Sequence, residues 1–205
     1  MRTACERRCA SVMNQLRGLM AGNPPSAPGN GTPLVDGFYF SWDKEEAQVD
    51  LTLERPAGDK QARLAGQPAM ARFRARVSGK PRWLSLNVSL DTQDFAAGDV
   101  LALVGALHCP EAESLPAFLR SDAGGAQGDT PFSEPLRCAG AAGIGVSLHT
   151  VQPADKLLAP GAFHTLIVPL PPHDFTLLLG DLRFITLPAS AGLRSQPPSL
   201  ASYAL

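Results

Sequence analysis

Arg72, Arg74 and Arg76 alternate with Phe73, Ala75 and Val77, and a little further on Trp83, Ser85, Asn87, Ser89 and Asp91 alternate with Leu84, Leu86, Val88 and Leu90. Strict period-two alternation is the mark of a half-buried strand. Gly79-Lys80 between the runs reads as a two-residue turn with glycine at its first position, which makes Met70 to Asp91 a predicted hairpin. Its register sets Arg76 opposite Trp83, Arg74 opposite Ser85 and Arg72 opposite Asn87, with Ala75 meeting Leu84 and Phe73 meeting Leu86 on the apolar side. One face then carries guanidiniums, an indole, an amide, a carboxylate and hydroxyls. An aromatic face stacks on the apolar side of a sugar ring while Arg, Asn, Asp and Ser bond its hydroxyls. Trp83, Asn87, Asp91, Arg72, Arg74 and Arg76 are therefore the candidate ligand-binding residues, and the arginines favour an acidic sugar. The plainer reading is a solvated sheet face with Arg76 stacked on Trp83 to hold the hairpin.

Other chemistry is weakly signalled. No GxSxG elbow is present, and His108, His149, His164 and His173 have no neighbouring signature that assigns them to a triad. No catalytic residue is assigned. A hydrolase assembled from distant residues, with His149 or His164 beside a carboxylate, is the third functional reading. HExxH and EF-hand patterns are missing, Asp91, Asp94 and Asp99 read as turn residues, and no metal or cofactor is expected. The adjacent Glu45 and Glu46 do not supply the two separated carboxyls of a glycosidase. Gly140 to Gly145 matches neither a P-loop nor a dinucleotide fingerprint and reads as a flexible approach to a strand. Cys5, Cys9, Cys109 and Cys138 contain no CxxC spacing, and a bridge between Cys109 and Cys138 is left open.

These residues need a scaffold, and the totals bound it. A chain of 205 residues with 44% hydrophobic content suits one large β domain. A net charge of −1 gives no reason to expect a nucleic-acid partner. The N-terminus lacks an apolar signal core and no window approaches a transmembrane span, so the reading is a cytoplasmic protein with free thiols.

Residues 1–22 form an N-terminal amphipathic helix, with Cys5, Cys9, Val12, Leu16 and Leu19 or Met20 on one stripe. That stripe packs on its own domain or on a partner. The alternative function is accordingly an assembly subunit that docks a protein partner through residues 3–21, chiefly Cys9, Val12 and Leu16. Residues 23–34 read as a linker and 188–205 as a loose tail. Between them, 35–187 hold strands at Phe38–Glu54 (a second predicted hairpin), at 100–107, 143–151 and 163–170, and at 175–187 with a bulge at Gly180-Asp181, where the parity changes. The stretch 110–135 reads as an excursion loop with a helical turn. The fold class is all-β: a two-sheet antiparallel β-sandwich, most simply a jelly roll, with one helix. An immunoglobulin-like sandwich is disfavoured by the missing Cys, Trp, Cys pattern.

The Trp-bearing strand Arg82 to Asp91, the Ala97-Gly98-Asp99-Val100 that follows it, and the closing Asp174-Phe-Thr-Leu-Leu-Leu-Gly-Asp-Leu-Arg-Phe184 resemble jelly-roll carbohydrate-binding modules and galactose-binding-like domains. The resemblance covers 35–187 in pattern. It implies noncatalytic, lectin-like glycan binding; with no signal visible, it suits a role beside glycan synthesis or in an assembly.

Overall fold

Thr3 starts the helix. Its hydroxyl accepts the Glu6 backbone N–H at 3.3 Å and the Glu6 carboxylate accepts the Thr3 N–H at 3.0 Å, a reciprocal cap that satisfies two otherwise unpaired donors. The other Glu6 oxygen accepts the Thr186 N–H at 2.6 Å, so one carboxylate both caps the helix and ties it to the last strand. The computed structural model describes residues 3–22, 24–25, 27–56, 59–60, 62–138 and 144–191. Most of the 188–205 tail and Gly140 to Gly143 of the glycine-rich stretch lie outside these residues, as do positions 23 and 26 of the linker.

Helix α1 (Ala4–Ala21) is followed by β1 (Pro33–Val35), β2 (Phe38–Trp42) and β3 (Ala47–Glu54), then a small ribbon of β4 (Arg63–Leu64) with β5 (Gln67–Pro68). Next come β6 (Ala71–Gly79), β7 (Leu84–Thr92), β8 (Val100–His108), β9 (Ser114–Leu115), β10 (Phe118–Ala123), β11 (Ala126–Pro131) and β12 (Leu136–Arg137). The chain then forms β13 (Ile144–Thr150), β14 (Phe163–Pro169) and β15 (Phe175–Leu187). One sheet has the order β1-β2-β7-β14-β10-β11 and the other β13-β8-β15-β6-β3. The antiparallel pairs are nested: β10 with β11 at the centre, then β8 with β13, β7 with β14 and β6 with β15 outermost. A long hairpin wound across two sheets in this way is a jelly roll, the predicted topology. Gly180 is the predicted bulge, where the β15–β8 register slips between Leu179 and Asp181. A side chain there would press on Leu64 and Ala106 at 3.1 and 3.2 Å.

The hairpin at Met70 to Asp91 is corrected. β6 pairs with β3 and β15 in one sheet, while β7 pairs with β2 and β14 in the other. Residues 80–83 carry the chain from sheet to sheet. Alternation could not reveal this, because Phe73, Ala75, Leu84 and Leu86 face the same core whether their strands are neighbours or lie on opposite sides of it. The Phe38 to Glu54 hairpin is corrected for the same reason: β2 and β3 lie in different sheets. The two crossings are stacked, with the Asp43 N–H donating to the Trp83 carbonyl at 3.1 Å and Arg82 paired with Asp43 at 2.6 Å. Gly79 lies where they meet, at φ +102°, and a Cβ there would sit 2.3 Å from the Glu46 carbonyl oxygen.

The excursion loop at 110–135 is also corrected, since it contains the β10–β11 hairpin, turned by Gly124 and Gly125 at φ +63° and +89°. Two positive-φ residues are what a two-residue hairpin turn with matching twist requires. Between the sheets Phe38, Phe40 and Phe73 pack with centroids 4.8–6.1 Å apart. Cys5, Cys9, Val12, Met13, Leu16 and Met20 join the same core cluster. The stripe offered for partner docking is therefore buried against β7 and β15 of its own chain, where its apolar surface leaves water without a second protein.

Candidate ligand-binding groove

On the outer side of the six-stranded sheet, strand pairing lays the outward residues in rows. Ser41, Ser85 and Pro169 form one row, and Tyr39, Asn87, Ile167 and Phe118 the next. Ser89, Thr165, Arg120 and Asp129 follow, then Thr92, Phe163, Asp122 and Gln127. The groove over these rows encloses about 850 Å³, and Trp83 stands beside it with 49% of its surface exposed.

The floor is polar and internally bonded. The Asn87 amide donates to the Ser41 hydroxyl at 2.9 Å and lies 3.2 Å from the Ser85 hydroxyl, which itself can donate to the Asn87 carbonyl oxygen at 3.3 Å. Ser85 and Asn87 are nearly inaccessible at 6% and 3%, so their pairing keeps polar atoms satisfied beneath the groove. One wall is the β10–β11 hairpin. Arg120 holds Asp129 through two 2.8 Å bonds and lies 5.6 Å from the Phe118 ring centre, which fixes both the guanidinium and the ring. Asp122 accepts the Gly125 N–H at 3.0 Å and the Gln127 amide at 3.1 Å, and these bonds hold its carboxyl below the usual range. On the other side Arg82 keeps the Asp43 carboxyl low by hydrogen bonding and charge, and this pair anchors the backbone beside Trp83.

The six sequence candidates divide. Trp83 and Asn87 both line the groove. Asp91 does not, because the β7–β14 register slips between Ser89 and Asp91, and Asp91, at φ +109°, comes opposite the inward-facing His164. Its carboxylate accepts the Thr92 N–H at 2.8 Å. Arg72, Arg74 and Arg76 lie on β6, in the opposite sheet, facing Glu54, Thr52 and Asp50 of β3. Arg72 bonds Glu54 at 2.7 Å and also Asp59, while Arg74 reaches Glu54 at 3.2 Å. The charge row is thus answered by a facing acidic strand, and the parity argument joined it to Trp83 only through the mistaken hairpin.

Sequence reasoning missed Tyr39, Ser41, Phe118, Arg120, Asp122, Gln127, Phe163 and Thr165. The signal for β10 was present: Phe118, Arg120 and Asp122 alternate with Leu119 and Ser121 just before Gly124-Gly125, a glycine pair of hairpin length. Nothing local in the sequence shows that β2 and β14 flank β7.

The histidines stay off the groove. His164 is fully buried, its Nδ1 2.9 Å from the Ser121 hydroxyl and its Nε2 2.8 Å from the Gln93 carbonyl. With Nε2–H donating to that carbonyl, Nδ1 accepts from Ser121, and burial pushes the imidazole below its ordinary value. His149 bonds Asp155 at 2.7 Å near the end of the other sheet.

No family model matches the chain, and no curated protein matches it by sequence. Solved structures are similar to it in fold. The Family 30 carbohydrate-binding module shares 11% identity at a TM-score of 0.43, over 85% of this chain and 92% of that one. The CBM22-1 xylan-binding domain from Paenibacillus barcinonensis shares 9% at 0.39, over 73% and 86%. The enzymatically active domain of bacteriophage CBA120 tailspike protein 4 shares 11% at 0.44, over 74% of this chain and only 19% of that one. Other similar structures are also carbohydrate-binding modules, including Family 11 modules from Clostridium thermocellum. At these values the fold stands on the chain's own strand pairing and the ligand on the groove. Among the described residues, no helix is long and apolar enough to cross a membrane.

Proposed function

We propose that this protein is a noncatalytic carbohydrate-binding β-sandwich that takes a neutral glycan chain along the outer groove of its six-stranded sheet. The observation that carries the reading is the half-exposed Trp83 indole beside a floor of paired amide and hydroxyl groups, with Tyr39, Phe118 and Phe163 further along the same groove. An indole face covers the apolar side of a pyranose, and the accessible Arg120, Asp122 and Gln127 side chains of the wall exchange hydrogen bonds with its hydroxyls above the buried Ser85–Asn87 floor. The acidic-sugar expectation rested on Arg72, Arg74 and Arg76 beside Trp83; with that row on the other sheet, the groove's own cations Arg82 and Arg120 are each held by a carboxylate. A neutral ligand suits them best. The groove's carboxylates are likewise engaged, Asp122 by the Gly125 N–H and the Gln127 amide and Asp129 by Arg120.

Calorimetric titration with a panel of soluble neutral and acidic oligosaccharides tests this, with the native protein and Trp83→Ala side by side. Loss of a stacked tryptophan at a small site costs about 2 kcal/mol, or roughly 30-fold in Kd. A folded Trp83→Ala protein that binds its best glycan as tightly as the native one would remove the basis of the reading.

A further inference from the structure

Cys109 and Cys138 are not used by the groove, and they meet where a long excursion leaves and re-enters the sandwich. Cys109 directly follows β8 and Cys138 directly follows β12. The Cys109 N–H donates to the Cys138 carbonyl at 3.2 Å. This backbone bond makes the two cysteines lateral neighbours, the arrangement a disulfide between adjacent chain segments requires. Both side chains are buried in one core cluster, and both sulfurs reach the same short turn. The Cys138 thiol donates to the Ala112 carbonyl at 3.1 Å and the Cys109 thiol to the Glu111 carboxylate at 3.7 Å. That turn is closed by the Ala112 N–H on the Cys109 carbonyl at 3.1 Å. The two ends are already tied by the β9–β12 ribbon and by the Cys138 N–H on the Glu113 carbonyl at 3.1 Å, so a covalent link asks little of the surrounding backbone.

We infer that Cys109 and Cys138 are a cross-linking pair, which a small-molecule disulfide such as oxidised glutathione converts to an intrachain disulfide closing the segment that carries the β10–β11 wall. One thiolate attacks the glutathione disulfide, forming a mixed disulfide and releasing one glutathione thiolate. The second cysteine's thiolate then attacks the protein-bound sulfur, releasing the other. Two cysteine protons leave, the protein loses two electrons, and one glutathione disulfide becomes two thiols. Burial above all, with Cys138 and Glu111 close by, pushes the Cys109 thiol up to about 12, and burial raises Cys138 as well. Both are neutral near pH 7, so the exchange is slow there and speeds up as pH rises. Cys5 and Cys9 sit one helical turn apart, and their sulfurs approach separate carbonyls, of Asp91 and Leu182, so they do not compete as a pair.

The whole chain is incubated with oxidised glutathione at alkaline pH, free thiols are alkylated, and tryptic peptides are mapped by mass without reduction. The sequence makes the result unambiguous: cleavage at Arg120 and Arg137 releases peptide 121–137 while a disulfide keeps 83–120 attached to 138–156. The expected product is that linked pair, from a protein lighter by two hydrogen atoms, and Cys138→Ser abolishes it. Closing a loop of this length raises Tm by roughly 7–14 °C over the reduced protein, reversibly on adding a dithiol reductant. Stable glutathione adducts on separate cysteines, a link involving Cys5 or Cys9, unreacted thiols, or a linked protein with unchanged Tm would each overturn the inference. The readouts are independent of what the groove binds.

Discussion

Replacing His164 by glutamine tests whether the buried Ser121–His164 pair is a structural element or the core of a hydrolytic site. His164 is fully buried, packs 5.0 Å from the Phe95 ring centre, and has both nitrogens engaged by Ser121 and Gln93. Burial lowers its proton affinity, while the Gln93 carbonyl and Asp94 oppose that shift less strongly. The unfolded chain therefore takes up a proton near the ordinary value of 6.5 before the folded chain does. The sign follows directly: the histidine's contribution is complete above about pH 6.5 and is lost as pH falls from there toward the lower folded value. Over each pH unit in which the unfolded chain is protonated and the folded site stays neutral, stability falls by about 1 kcal/mol. With a urea slope near 2–3 kcal/mol/M for a chain of this size, the midpoint drops by roughly 0.3–0.5 M per such unit. Urea unfolding at two pH values spanning that interval, on native protein and His164→Gln, isolates the effect, because carboxylate titrations are common to both. The native midpoint must move by that much more than the variant's. Equal movement in both would refute the neutral buried imidazole and reopen a catalytic role for the pair.

Asn87→Ala removes the amide that links Ser41 to Ser85 and should cost about 1–2 kcal/mol of stability by urea unfolding, with about tenfold weaker glycan binding by calorimetry. Arg72→Ala leaves Glu54 and Asp59 to resolvate and strips a largely buried stem, a loss of about 1–2 kcal/mol in the same unfolding assay, with glycan affinity unchanged within a factor of two.

The sequence announced inside and outside far better than it announced neighbours. Phe73, Leu84 and Leu86 face inward as their alternation says, and Gly180 breaks the parity of β15 as its phase change says. Adjacency is another matter, because a β-strand's period of two is the same whether the next strand lies beside it or across the core. Gly79-Lys80 looked like a hairpin turn, yet it serves a crossing that packs on the Asp43 to Glu46 crossing, a long-range fact with no local mark. For the groove, Trp83 and Asn87 were legible because they share a strand and its approach, Asp91 was lost to a bulge, and Arg72, Arg74 and Arg76 to the change of sheet. The partners on β10 and β14 needed the nested pairing of the whole roll. Thr3 and Glu6 marked the helix start by their spacing, while the burial of its stripe on β7 and β15 required the fold.

The proposed glycan groove requires the ligand to meet the outer face of the six-stranded sheet, and a heteronuclear NMR titration of the native protein with the best-binding neutral oligosaccharide reads that face directly. Binding in that groove predicts shifts of the Trp83 indole N–H, the Arg120 Nε–H and the backbone amides of Tyr39, Asn87, Phe118 and Thr165, with Arg72, Arg74 and Arg76 unmoved. Shifts concentrated on the three arginines of β6, with a still Trp83, would contradict it.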